Sequence, residues 1–262
     1  MAELRRIKLT VAYDGTNYCG WQHQPNALAV EEVLNKAVSD LLGKNTEVTG
    51  ASRTDSGVHA LGNVAVFDTD SMIPGEKFCY ALNQRLPDDI VVVDSIEVPL
   101  DFHPRFTATR KVYEYVIYNY KHPDPLRRRY THFCFHDLDV ELMREGAKYL
   151  VGKHDFASFC SAKSQSETTT RTIESITIDQ KGKEITIRVT GDGFLYNMIR
   201  MIAGVLMRVG TKFYPPEEVK NILEQEERGF ARPTAPACGL TLVSIEYPEW
   251  EMKKDEEVRE LS

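Results

Sequence analysis

Arg110-Lys111-Val112-Tyr113-Glu114-Tyr115-Val116-Ile117-Tyr118-Asn119-Tyr120 is the stretch that decides the fold. Tyrosines and β-branched residues fill it, which is the composition of a strand. Tyr113, Tyr115 and Ile117 share one face, and Tyr118 and Tyr120 the other. Downstream, Asp139 can cap a helix over 140–151 that Gly152 ends. A hairpin follows over 173–190, turning at Lys181-Gly182. A helix is predicted over 194–209 and closed by Gly210, and Pro215-Pro216 opens another, to about Glu226. Leu240–Tyr247 reads as a last strand.

The same theme precedes the decisive stretch. Residues 5–13 alternate as a strand through Ile7, Leu9 and Val11, and Asp14-Gly15 turns the chain. Val30, Val33, Leu34, Ala37 and Leu41 recur at helical spacing, with Gly43 as C-cap. Residues 63–67 read as a strand, 77–85 as a helix stopped by Pro87, and Ile90–Val98 as a strand. Strands and helices in mixed order in both halves point to two related α+β units rather than a doubly wound α/β fold. The division expected is 1–105, 106–247 and a charged tail, 248–262, without fixed structure.

Composition narrows the class. An apolar fraction of 42% and a charged fraction of 27% are those of a globular protein. No apolar run approaches the ~20 residues that span a bilayer. The N-terminus alternates rather than forming a signal-peptide core, so a cytoplasmic protein with no membrane partner is expected. Cys19, Cys79, Cys134, Cys160 and Cys238 are scattered, without a CxxC pair, which fits a reducing compartment. The net charge of -7 hides an uneven distribution. Segment 100–135 holds seven Lys or Arg against three acids, while 248–262 holds six acids against three bases. A locally basic surface can neutralise phosphates on an acidic protein, and a solvated loop is its ordinary alternative.

Three features carry candidate chemistry. Gly50-Ala51-Ser52-Arg53-Thr54-Asp55-Ser56-Gly57-Val58-His59-Ala60 is a dense loop of small and charged residues. A carboxylate held there can serve as nucleophile or base, or can merely turn the chain. The helix 194–209 is apolar nearly all round, yet carries Arg200 in its middle, flanked by Asn197, Ala203 and Gly204. A buried guanidinium is costly unless a carboxylate meets it; snorkelling to the surface is the other outcome. Tyrosines on the 112–118 strand can stack on bases or fill a core. His132, Cys134 and His136 alternate on a strand and have zinc-type donors, but two-residue spacing without a fourth ligand is a weak metal signal. Asp68-Thr69-Asp70 lacks a phosphate-cradling loop.

Six blocks in order resemble the TruA-type family of tRNA pseudouridine synthases over residues 5–247. They are Tyr13-Asp14-Gly15-Thr16 with Tyr18, Gly20-Trp21-Gln22 and Gln24; Arg53 to Ala60; Leu82-Asn83 with Leu86-Pro87-Asp88-Asp89-Ile90; Arg110 to Tyr115; Gly193 to Arg200; and Thr234-Ala235-Pro236-Ala237 with Gly239-Leu240. The resemblance implies the pseudouridine synthase fold, two α+β subdomains with largely antiparallel sheets forming a cleft. It implies an isomerase that needs no cofactor and no metal. Asp55 matches the catalytic aspartate, Tyr113 the tyrosine that contacts the target base, and Arg200 the arginine that supports the aspartate. Arg53, His59 and Arg110 are candidates for RNA phosphate contacts. The implied substrate is tRNA, at uridines 38, 39 and 40 of the anticodon arm, and the implied assembly is a homodimer. Ser52 and Ser56 stand where the family commonly has glycine and alanine, and Ala29-Val30-Glu31 stands where it commonly has Thr-Val-Gln.

Overall fold

The computed structural model describes residues 3–248, except 26, 108 and 165. The charged tail expected from 248 onward therefore lies, beyond Pro248, outside the described residues. In chain order the elements are β1 (Arg5–Tyr13), α1 (Val30–Leu42), β2 (Thr49–Gly50), β3 (His59–Thr69), α2 (Phe78–Asn83), β4 (Ile90–Val98), β5 (Arg110–Asn119), β6 (His132–Cys134), α3 (Val140–Ala147), β7 (Gly152–Asp155), β8 (Thr170–Lys181), β9 (Glu184–Gly191), α4 (Met198–Gly210), α5 (Glu218–Leu223) and β10 (Leu240–Glu246). Contacts divide the chain into two units. One runs to Thr109 and resumes at Leu242; the other is Arg110–Thr241.

In the first unit the strands lie in the order β4-β1-β3-β10. β1 runs antiparallel to both β3 and β4. Its alternation buries Ile7, Leu9, Val11 and Tyr13. Phe78 at the start of α2 packs edge-on against Phe67 of β3, with ring centres 5.3 Å apart. α1 buries Val30, Leu34, Ala37 and Val38 and ends at Gly43, whose φ of 67° closes the last turn in the left-handed region. Tyr247, just after β10, packs edge-on to Phe102 and donates its hydroxyl to the Pro104 carbonyl at 3.0 Å.

In the second unit the order is β5-β9-β8-β7, antiparallel throughout, with β6 alongside β5 as a parallel partner. Ile185, Ile187 and Val189 of β9 are fully buried, as are Tyr115 and Ile117 of β5. α4 is covered nearly all round, and only Arg208 is exposed. The class is α+β with largely antiparallel sheets, as the order of elements implies.

Two helices depart from the sequence reading in ways that bear on the site and the sheet. The helix expected from 194 begins at Met198, because Asn197 takes a left-handed conformation, φ 63°, and turns the chain first. Arg200 therefore sits in the first turn of α4 and not in its middle. The helix expected over 140–151 stops at Ala147, passes through a 3-10 turn over Lys148–Leu150, and gives way to β7, which pairs with β8.

Candidate active site

The Asp55 loop is an excursion between two paired strands. β2 and β3 are antiparallel, with Thr49 opposite Val66 and Gly50 opposite Ala65, and residues 51–58 leave the sheet between them. At the tip, Val58 N–H donates to the Asp55 carbonyl at 3.1 Å, closing a turn in which Gly57 has φ +77°. A residue with a side chain is strained at that φ. Asp55 itself is half-buried.

The loop is clamped by main chain as much as by side chains. Trp21 N–H donates to the Thr54 carbonyl at 3.1 Å, and Gly57 N–H to the Tyr18 carbonyl at 3.2 Å. A Cβ on Gly20 would lie 2.3 Å from the Thr54 oxygen, and one on Gly15 would lie 2.0 Å from the Val58 oxygen. Only glycine lets the 15–20 segment come this close. Tyr18 donates its hydroxyl to Asp89 at 2.6 Å; burial first, then that carboxylate, holds the phenol well above its ordinary pKa, so it stays a donor. The first three motif blocks thus meet around one loop.

Beneath the loop lies a buried polar chain. Tyr13 and Thr54 share a hydroxyl–hydroxyl bond of 2.7 Å. Asn63, 0% exposed, donates to the Tyr13 hydroxyl at 3.3 Å and to the Ser52 carbonyl at 3.0 Å. Replacing Asn63 by leucine is expected to destabilise the protein by roughly 2 kcal/mol, because the Ser52 carbonyl stays buried and loses its donor. A urea titration checks this: the midpoint falls at unchanged slope.

The expected site residues are distributed as follows. Arg53 is exposed on the loop. His59, 4% exposed, opens β3; its Nδ1 accepts from Gly15 N–H at 3.1 Å and lies 3.2 Å from Asp14 Oδ1. That placement ties the loop's end to the 14–15 turn. Arg110 starts β5 and its Nε pairs with Glu174 at 2.9 Å. Tyr113, 7% exposed, packs edge-on to Phe194 with ring centres 5.4 Å apart.

Arg200 is held by a strap. Its Nε donates to the Ala235 carbonyl at 2.8 Å and Nη1 to Asn197 Oδ1 at 2.8 Å, while Ala235 N–H donates to the Arg200 carbonyl at 3.0 Å. The strap crosses α4 at Gly204, where a Cβ would lie 1.8 Å from the Pro233 oxygen. Tyr115 donates to the Pro236 carbonyl at 2.9 Å, and burial raises its pKa well above the ordinary value. The last three blocks therefore meet within the second unit. Sequence reading placed Tyr13 and Thr54 in motif blocks and Asn197 beside Arg200 without giving them a supporting part, and it missed Asn63, whose signal was a polar side chain inside an apolar strand.

His132 is half-buried and Cys134 buried, and burial disfavours the charged form of each. Among the described residues no three His, Cys, Asp or Glu gather as a metal site.

A family model described as tRNA pseudouridine synthase matches residues 9–107 and 147–248. Arg53, Asp55, His59 and Arg200 fall inside the match; Arg110 and Tyr113 fall between its two parts. The chain is 48% identical over 244 residues to a tRNA pseudouridine synthase A of Acetivibrio thermocellus, covering 93% of this chain and 100% of that protein. It is 49% identical over 245 residues to the protein of the same name from Ruminiclostridium cellulolyticum, with 93% and 100% covered. Among solved structures, the archaeal box H/ACA sRNP Nop10-Cbf5 complex aligns at 11% identity and a TM-score of 0.33, covering 90% of this chain and 46% of that one.

Proposed function

The chain belongs to the tRNA pseudouridine synthase family and is an isomerase, and from that premise we propose that it converts uridine to pseudouridine at positions 38, 39 and 40 of the tRNA anticodon arm, with Asp55 as the catalytic carboxylate. The observation that carries the reading is the Asp55 loop, a carboxylate on a rigidly clamped turn into which three motif blocks converge. The positional choice and a cytoplasmic homodimer rest on the resemblance of the six blocks.

The reaction breaks N1–C1′, turns the uracil, joins C5 to C1′ and removes the C5 proton. Nothing is oxidised or hydrolysed. The base must leave its stack first, at a cost of a few kcal/mol that is smallest in loops and at helix ends. An ionised carboxylate can attack C1′, attack C6, or take the C2′ proton, and each route needs Asp55 fixed against the nucleoside. Clamping by Gly15, Gly20 and the Tyr13–Thr54–Asn63 chain supplies that fixity before substrate arrives. The resemblance of the fifth block supports Arg200 as the arginine that serves the aspartate, and its guanidinium plane is set by Ala235 and Asn197. Tyr113 contacts the flipped base, and its hydroxyl serves the removal of the C5 proton. Arg53 and Arg110 fit phosphate contacts. The burial of His59 favours a part in holding the loop.

The test is to incubate the protein, in chelator, with unmodified tRNA transcripts and map pseudouridine by carbodiimide adducts and primer-extension stops. New stops confined to positions 38–40 are expected. Stops elsewhere would overturn the positional choice, and tight tRNA binding without stops would overturn the catalytic reading.

A further inference from the structure

Several arginines are engaged by carboxylates of the protein itself. Arg5 meets Glu97, Arg6 meets Asp68, Arg144 meets Glu141 and Arg188 meets Glu114. Arg53 and Arg105 are different. Both are exposed, both belong to the first unit, and among the described residues neither forms an ion pair. They are also close enough to repel. Partial burial, and then the Arg53 cation, hold the Arg105 guanidinium below its ordinary pKa, while Glu31 offsets part of this. Arg105 stays in place because its Nε donates to the Gly50 carbonyl at 2.8 Å, at the root of the Asp55 loop. The fold thus anchors one cation near another on a surface where long side chains are free to swing apart. Folding gains nothing from two like charges held together; an anion between them removes the repulsion.

The next residue adds a second feature. Phe106 is 84% exposed, and its ring stacks on His103 with centres 4.2 Å apart and planes 29° apart. The His103 Nδ1 accepts from Arg105 N–H at 3.1 Å, so one short loop sets both the cation and the ring. An exposed, pre-oriented aromatic face beside paired guanidiniums has the chemistry of a nucleotide: phosphate on the cations, base on the ring.

We infer that Arg53 and Arg105 jointly seat one phosphodiester of the RNA beside the Asp55 loop, and that Phe106 stacks an unpaired base adjoining it. This rests on the RNA substrate proposed above. One phosphate shared by two arginines makes a sharper claim than a general basic surface. Removing either arginine forfeits the same phosphate, so the two losses do not add.

The experiment measures the affinity of the intact protein for unmodified tRNA across a salt series, for Arg53→Ala, Arg105→Ala, the double variant and Phe106→Leu, with pseudouridine formation by wild type recorded on the same RNA. Each arginine variant is expected to bind about tenfold more weakly and to lose about one phosphate from the salt slope. The double variant is expected to be hardly weaker than either single one. Phe106→Leu is expected to lose about tenfold with the slope unchanged. Arg53 anchors nothing in the described fold, so its variant carries no folding effect; Arg105→Lys, which keeps charge but loses the Gly50 anchor geometry, separates position from charge and is expected to recover only part of the affinity. Additive losses with two phosphates gone from the slope would overturn the shared seat, as would unchanged slopes in both arginine variants. Unchanged affinity in Phe106→Leu would overturn the stacking half. These outcomes leave pseudouridine formation by wild type untouched. Wild type that binds tRNA with these variant effects but forms no pseudouridine would keep the seat and overturn the catalytic reading.

Discussion

Asp55→Ala is expected to lower pseudouridine formation by at least about a thousandfold while moving the unfolding midpoint by a few degrees at most. The scale is that of losing a nucleophile or general base, for which factors of 10² to 10⁴ and more are usual. The small effect on folding follows from how the loop is held. The Asp55 main-chain carbonyl accepts from Val58 N–H, and alanine keeps that bond. The clamps fall on Thr54, Ser52 and Gly57. Release of tritium from uridine labelled at C5, under single-turnover conditions with tRNA in excess of its Kd, reads the chemistry apart from product release. Thermal melting of the same sample reads the fold. Turnover that persists in Asp55→Ala would remove the aspartate from the mechanism. A coincident collapse of the fold would leave Asp55→Asn, which preserves volume, to decide it.

Gly204→Ala is the second large effect. On helix propensity alone it should stabilise α4 by about 1 kcal/mol. Packing opposes this, because the new methyl would stand 1.8 Å from the Pro233 carbonyl oxygen, an atom with no rotamer to yield. The strap must lift off the helix, and the paired bonds between Arg200 and Ala235 lengthen with it. The expected outcome is a net loss of about 1–3 kcal/mol in stability and roughly a hundredfold in kcat/KM, the usual cost of ångström-scale misplacement of a supporting group. Denaturant midpoints and turnover on tRNA check both. A stabilised, fully active variant would show that the strap does not set Arg200.

Much of the fold was legible because local rules governed it. The β5 composition, the Lys181-Gly182 turn and the α1 stripe ending at Gly43 each announce an element without help from distant residues. Legibility failed where a non-local partner decided. Phe194 and Leu195 continue the apolar run of α4, yet Asn197 turns the chain before the helix begins. β7 is four residues long, too short for a period, and exists because β8 offers it an edge. The loop around Asp55 stood out through its density of small and charged residues. Its supports did not, since Tyr13, Thr54 and Asn63 meet only after the sheet forms. The burial of His59 was invisible for the same reason: nothing in a Gly-Val-His sequence tells whether the ring turns toward Gly15 or toward solvent.

The return of β10 to the first unit has a consequence for synthesis on the ribosome. β3 pairs with β1 on one side; on the other, β2 covers two of its residues and β10 is its next neighbour. That neighbour is made only after the whole second unit has been translated. At ~5–20 residues per second the remaining edge of β3 stays open for on the order of ten seconds. An open, apolar strand edge is a template for pairing with another chain. The sheet of the first unit is therefore completed by the emergence of β10 rather than by the end of the unit's own contiguous sequence.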